Sequence, residues 1–239
     1  MLMIQISKIA KELGVQSSVV LYFLKSKGFN VAGVMSKVDQ KTYNFVLKQF
    51  TKAAEIIPSI GTPTEISYKH NIDEFIKIIS KHGITSLYHF TDESNLDSIK
   101  RHKGLYSWQK CLDNGIKINK QASNELSRDL DKKKGLENYV RLSLTKDHPM
   151  MHVALSNGVI DKPKILKIDI DVLYWLETKY SDVNAAANYA NIGGELTHLK
   201  NIDFKIIKSG KWKNEDEKHK LQAEILVKEH IPIKYIKNI

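Results

Sequence analysis

The chain has 239 residues, 42% of them hydrophobic and 27% charged, which suits one large soluble domain or a small one beside a medium one. Its single cysteine, Cys111, excludes a disulfide framework within the chain and a cysteine-rich zinc site, and fits a reducing compartment. The 37 basic residues against 27 acidic ones leave a net charge of +10, a surplus that favours a polyanionic partner, and residues 1–60 hold eight lysines against only Glu12, Asp39 and Glu55.

Helical periodicity opens the chain. Ile6, Ile9, Ala10 and Leu13 share one face, and Gly14 ends that helix. Ser17 or Ser18 can cap a second helix carrying Val20, Leu21, Phe23 and Leu24, which stops at Gly28. Asp39 opens a third with Tyr43, Val46, Leu47 and Phe50. These predict a small helical domain over residues 1–56. Two prolines and a glycine in Ile57-Pro58-Ser59-Ile60-Gly61-Thr62-Pro63-Thr64 break both periodicities, so a linker is placed at 57–70. A second domain then spans 71–239, beginning with an amphipathic helix over 73–82 ended by Gly83.

From residue 85 the pattern changes to short strands. They are predicted at 86–90, 140–145, 164–170, 204–207, 222–227 and 233–236. Strands mixed irregularly with helices predict an α+β fold and not a regular doubly wound sheet. No apolar run approaches the roughly 18 residues of a membrane span. The first residues lack a charged region followed by an apolar one, so a cytoplasmic protein without membrane contact is expected.

Several segments carry chemistry. In Leu87-Tyr88-His89-Phe90-Thr91, strand alternation sets Leu87, His89 and Thr91 on one face, to line a cleft, and Tyr88 and Phe90 on the other, to fill core. Thr91 or Asp92 can cap the helix that follows. Only three arginines, Arg101, Arg128 and Arg141, stand among the 37 basic residues, and arginine grips phosphate bidentately where lysine cannot. Arg128 follows Ser123-Asn124-Glu125-Leu126-Ser127; Arg141, Ser143 and Thr145 share a strand face. Pro149 fits the first turn of a helix capped by Asp147 or His148. In Gln222-Ala223-Glu224-Ile225-Leu226-Val227, Ala223, Ile225 and Val227 form an apolar face and Glu224 points away from it; a carboxylate at mid-sheet is solvated, paired or functional. Trp108, Tyr174, Trp175, Tyr180, Tyr189 and Trp212 are available to stack on a base, if they are not core.

Taken in order, these segments resemble the DarT family, toxins that ADP-ribosylate bases in single-stranded DNA. The resemblance covers residues 85–239. It rests on Tyr88-His89-Phe90-Thr91, Asn95-Leu96 with Ile99, Gly104-Leu105-Tyr106-Ser107, Leu144-Thr145 with His148-Pro149-Met150-Met151, Gln222-Ala223-Glu224-Ile225-Leu226-Val227 and His230-Ile231-Pro232-Ile233-Lys234-Tyr235-Ile236. It implies an NAD-dependent transferase of ADP-ribosyltransferase fold, with NAD as co-substrate and no metal. Glu224 would be the catalytic glutamate, and Arg128 would act beside it on the NAD phosphates or the base, with Arg141 a rival. His89, Thr91, Arg141 and Ser143 would hold NAD, and Asn184, Tyr189 and His148 would meet nucleic acid. The family implies thymine or guanine as the modified base, single-stranded DNA as partner, and an antitoxin such as a macrodomain ADP-ribosyl hydrolase, in a toxin–antitoxin or phage-defence setting. An RNA target and a catalytically inactive nucleic-acid-binding protein are the alternatives.

The first residues resemble the small domain at the start of bacterial translation initiation factor two. The matching stretches are Ile9-Ala10-Lys11-Glu12-Leu13-Gly14-Val15, Leu24-Lys25-Ser26-Lys27-Gly28-Phe29 and Met35-Ser36-Lys37-Val38-Asp39. This implies a nucleic-acid or ribosome-proximal adaptor.

Overall fold

The computed structural model describes residues 3–13, 17–33, 35–54, 66–121 and 125–239. The chain divides into two compact units, Met1–Glu65 and Ile66–Ile239. The expected helix stop at Gly14, the expected linker residues 57–65 and Ser123-Asn124 lie outside the described residues.

In the first unit, α1 (Ile6–Glu12), α2 (Ser17–Ser26) and α3 (Gln40–Ala54) bury Ile6, Ile9, Ala10, Val20, Leu21, Leu24 and Val46 in one cluster. The three-helix expectation omitted a ribbon. β1 (Met3–Gln5) pairs antiparallel with β2 (Lys37–Asp39), setting Ile4 opposite Val38. Strands of three residues are too short to show a period of two. Asp39 opens α3 as expected, its carboxylate accepting the Thr42 N–H at 2.8 Å.

The second unit begins with α4 (Ile72–Lys81), β3 (Ser86–Asp92), α5 (Leu96–Arg101), β4 (Gly104–Tyr106), α6 (Trp108–Asp113) and α7 (Glu125–Lys134). It continues with β5 (Tyr139–Ser143), α8 (Pro149–Ser156), β6 (Pro163–Asp169), β7 (Lys179–Ser181) and β8 (Ile192–Gly193). It ends with α9 (Leu196–Lys200), α10 (Phe204–Ser209), α11 (Glu215–Leu221), β9 (Glu224–Lys228) and β10 (His230–Pro232). Six strands form an antiparallel sheet in the order β6-β3-β5-β9-β7-β8, and β4 pairs with β10 in a small ribbon. Leu87, Leu142, Leu166, Ile168, Ile225 and Val227 are buried on this sheet. Burying such side chains contributes about 1.5–3 kcal/mol each. The architecture is α+β.

Three expectations are corrected. Residues 204–207 form part of α10 and not a strand: Asp203 accepts the N–H groups of Lys205 and Ile206, Phe204 and Ile207 bury one face, and Gly210 closes the helix at φ +62°. Residues 233–235 form a 3-10 turn, and the strand there lies just before it, in β10. Its pairing with β4 leaves no space at Gly104, where an added Cβ would stand 2.4 Å from the Ile231 carbonyl oxygen. Residues 66–70, expected in the linker, belong to the second unit. Tyr68 bridges Trp175, and Lys69 is buried, donating to the Leu176 carbonyl at 2.9 Å.

Asp92 ties the end of β3 to the loop before β6. It accepts the Ser94 hydroxyl at 2.7 Å, the Ser94 N–H at 3.0 Å, the Asp161 N–H at 2.8 Å and the Lys162 N–H at 3.0 Å. These donors, the Ser94 hydroxyl foremost, hold its carboxyl well below the usual carboxylate range. A carboxyl depressed in the folded state stabilises above its unfolded pKa of about 3.9 and loses that contribution as pH falls through the folded value. Asp92→Ala is therefore expected to cost about 1–3 kcal/mol near neutral pH. The deficit should shrink in acid. Urea denaturation of both proteins across the acid range checks the size and the sign.

Candidate active site

Glu224 stands at the start of β9, opposite Ser143 of β5 on one side and Ser181 of β7 on the other. Directly paired residues in an antiparallel sheet point to the same face, so Glu224, Ser143 and Arg141 share one. Glu224 is 7% exposed. Its Oε2 accepts from Arg141 Nη1 at 2.6 Å and from the Ala185 backbone N–H at 2.7 Å. Arg141 also pairs with Asp131 of α7. Burial works against the Arg141 charge, but the carboxylates of Glu224 and Asp131 outweigh it and hold the guanidinium above its ordinary value. The cluster is a half-buried cation between two carboxylates, each hydrogen-bonded to it.

His89 reaches this cluster through a gap in the sheet. β3 pairs with β6 along all of 86–92, yet its register with β5 is the single pair Tyr88–Ser143. Beyond that pair the ladder stops, and the His89 ring takes the place of a strand bond, with Nδ1 3.0 Å from the Arg141 carbonyl. Nδ1 is then the protonated nitrogen, which leaves Nε2 as an acceptor. Burial lowers the His89 pKa, against the pull of the Arg141 carbonyl, so the ring is neutral.

A cavity of about 270 Å³ opens here, near the lower end of small-molecule sites. His89, Thr91, Arg141, Ser143, His148, Asn184 and Glu224 all line it. The expected split between a polar and an aromatic face of β3 is corrected, because Tyr88 and Phe90 line the cavity too. With β5 absent beyond Tyr88, both faces of the strand are reachable.

The remaining expected residues divide by position. Thr91 accepts from Asn95 Nδ2 at 3.1 Å, and Ser143 donates to the Thr145 carbonyl at 2.7 Å. His148 caps α8, its Nδ1 accepting the Met150 N–H at 3.3 Å, and is buried. Burial lowers its pKa, with Glu224 acting in the opposite sense. Asn184 accepts the Ala186 N–H at 2.9 Å beside Glu224's partner Ala185. Arg128 is not in the cavity lining itself but stands against Trp108 and Gln121, which are. Its guanidinium stacks on Trp108 at 4.7 Å and donates to Gln121 at 2.8 Å, whereas the guanidinium bonded to Glu224 is that of Arg141. Tyr189 is also outside the cavity lining; 64% exposed, it lies 2.8 Å from His219 Nδ1 through its hydroxyl.

Of the available aromatics, Tyr174 and Tyr180 are core, Trp175 packs edge-on against Tyr235, and Trp108 lines the cavity. Burial raises the Cys111 thiol to about 11, which leaves it protonated and a poor nucleophile. Among the described residues, no group of three or more His, Cys, Asp or Glu side chains is placed to hold a metal ion, and no helix is long and apolar enough to cross a membrane.

Sequence reasoning missed Asp131 and the Ala185 amide, and took Asn95 only as part of the family pattern. Asn95 alone left a trace, falling four residues after Thr91. Asp131 sits in a run of alternating charges that reads as a solvated helix face, and a backbone amide has no signature at all.

A family model described as ssDNA thymidine ADP-ribosyltransferase, DarT, matches residues 88–239. Among solved structures, DarT of Thermus sp. 2.9 in complex with ADP-ribosylated ssDNA is 19% identical with a TM-score of 0.54, over 64% of this chain and 79% of that one. The same protein in complex with NAD+ is 19% identical with a TM-score of 0.51, over 65% and 80%. Thermosipho africanus DarTG in complex with ADP-ribose is 23% identical with a TM-score of 0.55, over 64% of this chain but only 43% of that one. At these identities the likeness is one of fold. No curated protein matches the chain.

Proposed function

We propose that this chain, which belongs to the DarT family of NAD-dependent ADP-ribosyltransferases, transfers ADP-ribose from NAD to thymidine in single-stranded DNA. The observation that carries the reading is the meeting of Glu224, Arg141 and His89 at one cavity although they come from three different strands. The cavity is lined by polar side chains, which suit a ribose, and by Tyr88, Phe90 and Trp108, which suit a planar ring, so the residues fit NAD as co-substrate. NAD supplies an ADP-ribosyl group on a nicotinamide leaving group.

Each residue then has a distinct task. Both hydrogen bonds to Glu224 use Oε2, so Oε1 is the oxygen offered to a ribose 2′-hydroxyl. Held there, the carboxylate opposes the positive charge that develops on the ribose as the bond to nicotinamide breaks, the same demand that glycoside cleavage makes. Neutral His89 anchors the nicotinamide-side ribose through Nε2, with Thr91 and Ser143 near it. Arg141 holds Glu224 in place through its hydrogen bond to Oε2. The base nitrogen joins C1′, its proton goes to solvent, and nicotinamide leaves with the electron pair of the broken bond. Asn184, beside the Ala185 amide, meets the incoming base, and exposed Tyr189 offers a stacking surface.

A modified thymidine blocks templating, so the reading includes a toxin role and a partner hydrolase, of the macrodomain type, that removes the mark. Incubation with NAD and matched DNA and RNA oligonucleotides, followed by mass spectrometry, tests it. One ADP-ribosyl group on a thymidine of the DNA strand is expected. Modification of RNA alone, or of no oligonucleotide by protein shown to bind NAD, overturns it.

A further inference from the structure

Helix α7 reaches Glu224 by two routes. Asp131 pairs with Arg141, which donates to Glu224 Oε2. Lys134, one turn further on, donates from Nζ to the Ala185 carbonyl at 2.8 Å and to the Ala187 carbonyl. The Ala185 N–H donates in turn to the same Glu224 oxygen. Asp131 and Lys134 are three residues apart and share a helix face. The bonds therefore close a ring, from Asp131 through Arg141, Glu224, Ala185 and Lys134 back to α7.

Besides this ring, the loop is held by Ala185 packing against Leu136 and Leu226 and by the Ala190 N–H on the Ala187 carbonyl at 3.1 Å, none of which fixes the direction of the Ala185 amide. Ala185, Ala186 and Ala187 carry only methyl groups. The turn is closed locally by the Ala187 N–H on the Asn184 carbonyl at 2.9 Å and by the Ala186 N–H on the Asn184 side chain. Ala185 is fully buried, with its N–H on Glu224 and its carbonyl on Lys134. A carboxylate oxygen that accepts two donors from different directions has its rotamer set. With only Arg141 left, it can pivot about that bond.

We propose that Lys134 is a positioning residue, which clamps the 184–187 turn so that the Ala185 amide fixes the Glu224 carboxylate toward the cavity. Its effect on rate rests on the reading of Glu224 given above. The clamp itself does not. One ammonium spans two carbonyls, which a neutral side chain of the same length cannot do.

Two variants of the full chain test this. Lys134→Met keeps the aliphatic stem and removes the donor; Lys134→Arg keeps a charged donor. In Lys134→Met, exchange of the Ala185 amide is expected to accelerate at least about tenfold while the β9 amides keep their protection. Transfer kcat should fall about tenfold with the KM for NAD changed less than about threefold. Lys134→Arg should recover most of both effects. General loosening of the fold would accelerate β9 exchange as well and would not respond to arginine. Unchanged Ala185 protection in Lys134→Met overturns the clamp, and lost protection with kcat intact overturns the role of Lys134 as a positioning residue. Lost protection in a protein whose parent modifies no oligonucleotide upholds the clamp and overturns the reaction assigned to Glu224.

Discussion

Replacing Glu224 by glutamine is expected to lower transfer of ADP-ribose by about 10²–10³-fold, the loss typical of removing one preorganised electrostatic stabiliser. The substitution is close to isosteric. A glutamine amide oxygen can still accept the Ala185 N–H, and Arg141 keeps its second partner, Asp131. On the proposed reading, what disappears is the negative charge facing the ribose. Since that charge acts only as the bond to nicotinamide breaks, kcat should carry the loss and NAD affinity should change less than about tenfold. Steady-state kinetics beside calorimetric NAD binding separates the two. A Glu224→Gln protein that retains activity within about threefold of the parent would remove Glu224 from the chemistry.

The largest effect on stability is expected from Arg141→Ala. The guanidinium lies between two carboxylates, with side chains of Arg141, Asp131 and Glu224 exposed by 23%, 15% and 9%. Without it, two acidic groups face each other in a site that water reaches poorly, and breaking a buried pair in this way costs about 3–5 kcal/mol. The variant's response fixes the sign of its pH dependence. One of the two carboxyls takes up a proton, so its folded pKa rises above its unfolded value. A carboxyl raised in the folded state destabilises as pH climbs from the unfolded value through the folded one. The deficit of Arg141→Ala should therefore be smaller near pH 5 than near pH 8, the same sense as that of Asp92→Ala but in a window above the unfolded carboxyl pKa of about 3.9 instead of below it. Denaturant titrations across this range check both magnitude and direction. A cost below about 1 kcal/mol would mean that the carboxylates were never desolvated.

The two variants also divide the functions of one cluster. Glu224→Gln tests charge at the reacting centre with the scaffold kept. Arg141→Ala tests the scaffold, and should reduce transfer too, because Glu224 loses its anchor. Arg141→Lys should fall between, since one ammonium cannot reproduce a fork that serves two carboxylates at once.

Much of the site was legible residue by residue. Strand periodicity isolates Glu224 among Ala223, Ile225 and Val227, and the scarcity of arginine draws attention to Arg141. The ordered segments from Tyr88 to Ile236 identify the DarT family, which the family model matches over 88–239. The choice between Arg128 and Arg141 was not legible. Both are arginines near plausible ligand segments, and only the pairing of β5 with β9 brings one of them to Glu224. Residues 204–207 show a related difficulty. Phe204 and Ile207 fit a strand or a helix equally over so short a stretch, and Asp203 with Gly210 decides for the helix.

What the sequence determined by itself is the set of local preferences: which strands hide an apolar face, which polar side chains interrupt them, where caps and glycines stop a helix, and the family to which their order corresponds. Those follow from period, propensity and capping, all of which act within a few residues. The tertiary structure alone decided that β3 parts from β5 after Tyr88, so that His89 bonds the Arg141 carbonyl, and that Asp131 and Lys134 turn inward from a helix whose charges look uniformly solvated. The His89–Arg141 and Lys134–Ala185 contacts, 52 and 51 residues apart, depend on how strands are ordered and spaced, and burial selects Asp131 among its neighbouring charges only after that order exists.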